Sequence, residues 1–504
     1  MDRRAEFGDD RKKPVSSGRN DEVGEIREYD NYDALGLAEL VKRKELSAGE
    51  LLETAIARAE RVNPKINAIV HAAYDQAHAA IARGLPDGPF SGVPFLLKDL
   101  GCEAIGYPTS SGSRFFANYQ WTFDGEIWNR LRKTGLVAFA RTTSPELGIS
   151  PATEARVYGG PTRNPWNLDH TPGGSSGGSG AAVAAGVVPM AHGSDGGGSV
   201  RIPASCCGLF GLKPTRARLP DGPASGEGWG GMAIDGVLSR SVRDSAVMLD
   251  ACHGADVGAP YVAPHVPRPY AEEIKSPPRR LKIAFCKTTL HGLPIHAECA
   301  AAVEAAARLC GELGHEVVEA KPSFDFEKAV RAWTKVVACG TALSVRLGAQ
   351  ARGREPGPDE IEPATRGAVE YAKTIDGPDY LQSINIVHAT GRQIAQFFET
   401  HDLLITATLA EPPARVGRFA MSNPDFLDYR LGPKGIIHYS PFTSIFNMTG
   451  QPAASIPLHW SKDGLPVGVH FAARFGDEAT LLKLAVQLEQ ARPWFGKRPV
   501  LTRD

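Results

Sequence analysis

Residues 170–205, HTPGGSSGGSGAAVAAGVVPMAHGSDGGGSVRIPAS, set Ser175, Ser176, Ser179, Ser194 and Ser199 among two glycine runs. A serine hydroxyl is a weak nucleophile that serves acyl transfer once a neighbouring base takes its proton. Successive glycine amides suit the second need of that chemistry, a nest of donors converging on an oxyanion. The stretch GGSSG fits G-x-S-x-G in two registers, centred on Ser175 or Ser176. That elbow requires a hydrophobic strand running into the turn, and the preceding RNPWNLDHTP, with two prolines and several polar groups, argues against one. Nucleotide-binding loops are excluded more firmly, because neither G-x-x-x-x-G-K-[ST] nor a strand–helix G-x-G-x-x-G is present. Glycine-serine runs are also common linkers. A linker does not enclose AAVAAGVVPMA, whose small and branched residues fit a buried, closely packed helix. Glycines inside a core instead mark unusual dihedrals or close approach of the backbone.

Positioning such groups takes a large scaffold. Ser47 with Glu50 forms a capping box, and Leu51, Leu52, Ala55, Ile56, Ala59 and Val62 make one apolar stripe, predicting a helix that ends at Pro64. A strand-like INAIV, a helix over 73–83 and the buried-strand pattern of SGVPFLLKDL follow, the last ending in Lys98 and Asp99. The helix FDGEIWNRLRKTG precedes LVAFA, and short apolar strands recur at LKIAFC, HEVVEA, DLLITA, AASIP and VGVHFAA. This alternation predicts an α/β fold around a large central sheet. Residues 258–275 read as a proline-rich surface connection, and 323–400 as mostly helical, suited to a lid or substrate wall.

With 504 residues and 42% hydrophobic content, the chain can build a substantial core. Its formal net charge of −1 supplies no field for nucleic acid or an anionic membrane. The longest apolar stretch is too short to span a bilayer and carries Gly186 and Pro189. Eight cysteines lack CxxC or zinc-type spacing and read as reduced core thiols of a cytoplasmic protein. The charged N-terminus has no apolar segment after it, and residues 1–29 read as a disordered tail.

The segment from TPGGSSGGSG to GLKPTRARL resembles the amidase signature, and GVPFLLKDL resembles the part of that family carrying a catalytic lysine. The resemblance runs from about residue 30 to the C-terminus, through GGPTRNPWN, FNMTGQPAASIPL and LPVGVHF. Within the family, TRNPWNL, GGSSGGSGAAVAA and GSVRIPAS are similar to 6-aminohexanoate cyclic dimer hydrolases, with aryl acylamidases and urethanases among the related members. It implies a single domain over 30–504 with a large mixed sheet covered on both faces by helices, and a helical substrate-side insertion at 320–400. It also implies a Ser–Ser–Lys triad: Ser199 as nucleophile, Ser175 as bridging serine after a cis Gly174–Ser175 peptide, and Lys98 as base. Gly196, Gly197 and Gly198, with the Ser199 amide, would form the oxyanion nest. Asp195 and Arg201 would pin that nest, and Ser176, Ser179 and Ser194 would support it. A lysine base must be neutral, and desolvation at the end of VPFLL is the physical route from its ordinary pKa of about 10.4. The chain departs from the family's usual pattern in GSDGGGS, without a threonine, and at Ala217, where a glycine is common; both bear on specificity.

The implied reaction is hydrolysis of an amide, and by the same route a carbamate, through an acyl- or carbamoyl-enzyme, without metal or cofactor. The substrate is expected to be small, neutral and fairly apolar, since no basic cluster lies near the site. Trp229, Met232, Trp333, Ile445 and Phe446 are the candidate pocket residues, although such residues are more often core. A homodimer is expected from the resemblance. Three other readings stand: a glutamine-hydrolysing A subunit of a tRNA-dependent amidotransferase, a binding protein on an inactive amidase scaffold, and an elbow hydrolase with Ser175 or Ser176 as nucleophile.

Overall fold

The computed structural model describes residues 26–502. Eleven strands are present among them: β1 Ile69–Val70, β2 Pro94–Lys98, β3 Val137–Thr142, β4 Met190–Asp195, β5 Phe210–Lys213, β6 Ile234–Ser239, β7 Lys282–Phe285, β8 Glu316–Glu319, β9 Leu403–Ala407, β10 Ala453–Trp460 and β11 Pro466–Ala473. Eight form one mixed sheet in the order β4-β6-β5-β10-β11-β9-β7-β8, flanked by helices. Pairing is antiparallel from β4 through β9 and parallel between β9, β7 and β8. The α/β expectation with a large mixed sheet is met. A separate sheet, β1-β3-β2, carries Lys98, and its β2 packs against β4.

Each strand read from the sequence is found, whereas β4, β5 and β6 were not anticipated. The apolar stretch between the glycine runs is one helix followed by a strand. Helix Gly177–Ala184 is buried along its whole length, and Gly186, at φ 71°, breaks the chain before β4 begins at Met190. The capping box of Ser47 and Glu50 forms, but the helix passes through Pro64 to Ile66 and stops at Asn67, which takes the left-handed conformation. Three long helices, Phe326–Arg352, Pro363–Ala372 and Gly377–Phe398, fill the region expected to be helical.

Most of the expected tail, residues 1–25, lies outside the described residues. Its last part belongs to the body, because Tyr29 is buried, donates to the Val187 carbonyl and stacks under Arg58. The eight cysteines are free thiols, seven of them buried. No helix among the described residues is long and apolar enough to cross a membrane.

The first glycine run is set by packing. A Cβ on Gly178 would lie 2.4 Å from the Thr143 amide nitrogen, one on Gly177 2.2 Å from Thr153 Oγ1, and one on Gly174 2.7 Å from the Ser150 carbonyl oxygen. Alanine favours helix more than glycine, yet here it meets fixed backbone. Gly178→Ala is therefore expected to destabilise by about 1–3 kcal/mol, seen as a lower urea midpoint at unchanged m-value.

Candidate active site

Three chain segments meet at the site. β2 ends at Lys98, which is fully buried. Helix Gly177–Ala184 starts just after Ser175 and Ser176, following a cis Gly174–Ser175 peptide. β4 ends at Asp195 and releases the chain into Gly196–Ser199 before helix Arg201–Cys207. Lys98 Nζ lies 2.7 Å from Ser175 Oγ and 2.9 Å from Ser194 Oγ. The Ser176 amide donates to the Ser199 carbonyl at 3.1 Å, tying the two glycine runs together. Ser199 is half-buried and lines a cavity; its Oγ makes no hydrogen bond to a described residue.

The surroundings of Lys98 favour the neutral amine over its ordinary charged form. Burial draws its pKa down to about 7, against the pull of the Asp235 and Asp195 carboxylates. The adjacent Asp99 does not neutralise it, because its carboxylate accepts from Thr109 Oγ1 at 2.6 Å, the Ser110 amide at 2.8 Å and Tyr158 Oη at 2.6 Å. The Lys98 amide donates to His192 Nδ1 at 3.3 Å, which leaves the Nε2 proton facing Asp235 Oδ1 at 3.1 Å. Lys213 is likewise buried and drawn down to about 7, but its Nζ donates to the Pro214 carbonyl and touches no serine. A lysine with a depressed pKa against a serine hydroxyl has the chemistry of a general base.

The second glycine run is held by Asp195. Its carboxylate accepts from the Gly198 amide at 2.8 Å, the Val200 amide at 3.1 Å, Asn447 Nδ2 at 2.9 Å and both forks of Arg201, at 2.8 and 2.9 Å. The Arg201 charge holds this carboxyl well below the usual carboxylate range. Arg201 also donates to Asn447 Oδ1 at 2.6 Å and meets His470 Nε2 at 2.9 Å. Burial and the Arg201 charge keep His470 neutral, so Nε2 accepts and Nδ1 donates toward Thr406 Oγ1 at 3.3 Å. The expected nest is thereby corrected: the Gly198 amide is committed to Asp195, while the Gly196, Gly197 and Ser199 amides donate to no described residue.

The sequence model of the amidase family matches residues 50–482. The 6-aminohexanoate-cyclic-dimer hydrolase of Paenarthrobacter ureafaciens is 37% identical over 478 residues, 93% of this chain and 96% of that protein. The chain belongs to the amidase family. A solved structure of 6-aminohexanoate cyclic dimer hydrolase superposes on this amidase with a TM-score of 0.89 at 36% identity, over 95% of this chain and 100% of the other. A bacterial aryl acylamidase of the amidase signature family superposes at 0.82 and 28% identity, covering 92% and 96%. The protein is an amide hydrolase of that family.

A partly open cavity adjoins these groups in the amidase. It is lined by Ser199, Gly174, Gly197, Gly148–Pro151, Trp229, Trp333, Arg430, Ile202, Ile436 and Ser440. Of the five pocket candidates, only Trp229 and Trp333 face it. Met232 is buried with its carbonyl accepting from Asn447 Nδ2, and Ile445 and Phe446 are core residues of helix Thr443–Thr449, Phe446 packing on the His470 ring. The second glycine run makes room for this wall. A Cβ on Gly196 would lie 2.7 Å from the Trp229 ring, on Gly197 2.5 Å from the Trp333 ring, and on Gly198, at φ 126°, 2.3 Å from Thr443 Oγ1. The supporting serines divide. Ser194 touches Lys98, Ser176 exchanges hydrogen bonds with the Ser194 backbone, and Ser179 donates to the His192 carbonyl at 2.6 Å. Ala217 takes the left-handed conformation, φ 59°, which ordinarily favours glycine.

Sequence reasoning passed over Asn447, His470, Thr443 and Arg430. Asn447 and His470 carried a signal, a polar residue inside an apolar helix and strand pattern; Arg430 carried none. No group of three or more metal-ligating side chains gathers among the described residues. Asp195→Asn removes the counter-charge of a fully buried guanidinium and is expected to cost about 3–5 kcal/mol, measured as a large fall in melting temperature.

Proposed function

We propose that this amidase hydrolyses amide C–N bonds of small, fairly apolar substrates through Ser199, Ser175 and Lys98. The observation that supports this reading best is the 2.7 Å contact between the buried, neutral-leaning Lys98 amine and Ser175 Oγ, beside a cavity that Ser199 lines. Lys98 takes the Ser175 proton as Ser175 takes that of Ser199, and Ser199 Oγ attacks the carbonyl carbon. The Gly196, Gly197 and Ser199 amides stabilise the oxyanion, with the Gly198 amide given to Asp195. The relay then returns a proton to the departing nitrogen and the amine leaves. Water attacks the acyl-enzyme by the reverse path, so one amide and one water yield one carboxylic acid and one amine. A carbamate follows the same route through a carbamoyl-serine.

Trp229 and Trp333 supply flat apolar walls for the body of the substrate. Neutral amides and carbamates with an aryl or alkyl body suit these walls. An amidotransferase subunit predicts glutamine as the substrate instead. Mass-spectrometric analysis of the purified chain with glutamine, a cyclic amide dimer, an anilide and an aryl carbamate separates the two. Amine release from the anilide or carbamate is expected, and cleavage of glutamine alone would reverse the reading.

Ser199→Ala is expected to lower kcat by at least about 10³-fold with the melting curve preserved. A fluorophosphonate is expected to label Ser199; labelling of Ser175 or Ser176 would assign the chemistry to an elbow instead. Lys98 must be neutral to act, so kcat/KM is expected to fall about tenfold per unit as pH drops below about 7 and to level off above it. A profile flat from pH 5 to 9 would remove Lys98 from the role of base.

A further inference from the structure

One wall of the cavity carries a cation that the proposed acyl transfer does not use. Arg430, on helix Phe426–Leu431, is 3% exposed and lines the same cavity as Ser199. Its Nε and Nη2 are buried without a hydrogen-bond partner, and it makes no ion pair with a described residue. Burial pulls its pKa down to about 10, which leaves it charged at neutral pH. The guanidinium stacks 4.2 Å over the Trp333 ring and 5.4 Å from that of Phe426. The Trp333 Nε1 donor beside it is also buried without an acceptor. The other buried arginines among the described residues all have oxygen acceptors: Arg141 on backbone carbonyls, Arg201 on Asp195, Arg218 on Glu478, Arg58 on Asp30 and Arg240 on the Phe495 carbonyl. A buried guanidinium left without an acceptor, in the wall of a ligand cavity, is a complement waiting for an anion.

We infer that Arg430 is a specificity-determining residue that receives a carboxylate carried by the substrate, so that the preferred class is an apolar-bodied amide with one terminal acidic group. This rests on the proposed hydrolysis at Ser199 and extends it beyond neutral amides. The stacked aromatic rings fix the plane of the guanidinium, and the substrate's carboxylate supplies the oxygen atoms that the protein withholds. Charge pairing with a guanidinium that is itself buried selects for the acid over its ester, which cannot form the ion pair.

The test uses the full chain and two sets of anilides, one with a carboxylate at the end of the acyl chain and one with a carboxylate on the ring, each beside its methyl ester. In at least one set the wild-type protein is expected to favour the acid in kcat/KM by about tenfold or more, mostly through KM. Arg430→Met is expected to abolish that preference, and Arg430→Lys to keep part of it, since the charge stays and the planar fork is lost. Esters preferred or equal in both sets, or acid and ester falling by the same factor in Arg430→Met, would overturn the inference. The wild-type comparison needs no variant to fold. Turnover of the esters, lost in Ser199→Ala, reports separately on the proposed hydrolysis, so failure of one is distinguishable from failure of the other.

Discussion

A carboxylate sealed from water at the end of β4 governs the geometry of everything around it. Asp195 accepts hydrogen bonds from two amides of the following turn, from Asn447 and from both forks of Arg201. Burying such a charge is unfavourable unless each oxygen is satisfied, so the partners are compelled to come to it. The turn 196–199 is bent around the carboxylate, helix Arg201–Cys207 begins there, and helix Thr443–Thr449 is drawn in through Asn447. The Gly196, Gly197 and Ser199 amides of the turn donate to no described residue. The proposed oxyanion pocket is in this sense the by-product of satisfying an anion with other amides of the same segment.

The same desolvation acts on Lys98 with the opposite outcome. Asp195 is surrounded by cations and donors and stays charged, whereas Lys98 is packed against hydroxyls and the carboxylate of the adjacent Asp99 is turned onto other donors. Burial penalises both charged forms, and the partners decide which charge survives. Lys213 shows that burial alone does not make a useful base. It is equally depressed, yet it points at a backbone carbonyl with no proton to give. Contact with a hydroxyl is what separates the two lysines.

These arrangements were unevenly legible in the sequence. The edge of β2 at Lys98, the capping box and the long helices follow local periodicity, which local residues dictate. The path between the glycine runs was misjudged, because a hydrophobic stretch looks alike as helix and strand until Gly186 divides it. Pro64 failed to stop its helix for a related reason: a tertiary surface at Val62 and Ile66 continued to bury the apolar stripe. Ile445 and Phe446 resembled pocket residues by type but pack into the core, while Asn447 beside them carries the network. Arg430 was invisible, since its importance comes from what is missing around it, and absence of partners is a property of three-dimensional placement alone.

The glycines of the second run join the proposed oxyanion site to the wall of the cavity. Gly196 and Gly197 are bare because Trp229 and Trp333 lie directly on them. The backbone proposed to hold the oxyanion is thus the floor on which the cavity-lining rings rest. Removing a ring opens a void over a glycine pair with few side-chain restraints, so the amides lose their orientation as the pocket gains volume. Adding a side chain to the floor displaces a ring and with it the Arg430 guanidinium stacked on Trp333. Changes of specificity in this wall are therefore constrained to pairs that refill the same space, because the shape of the pocket and the aim of the amides are one packing problem.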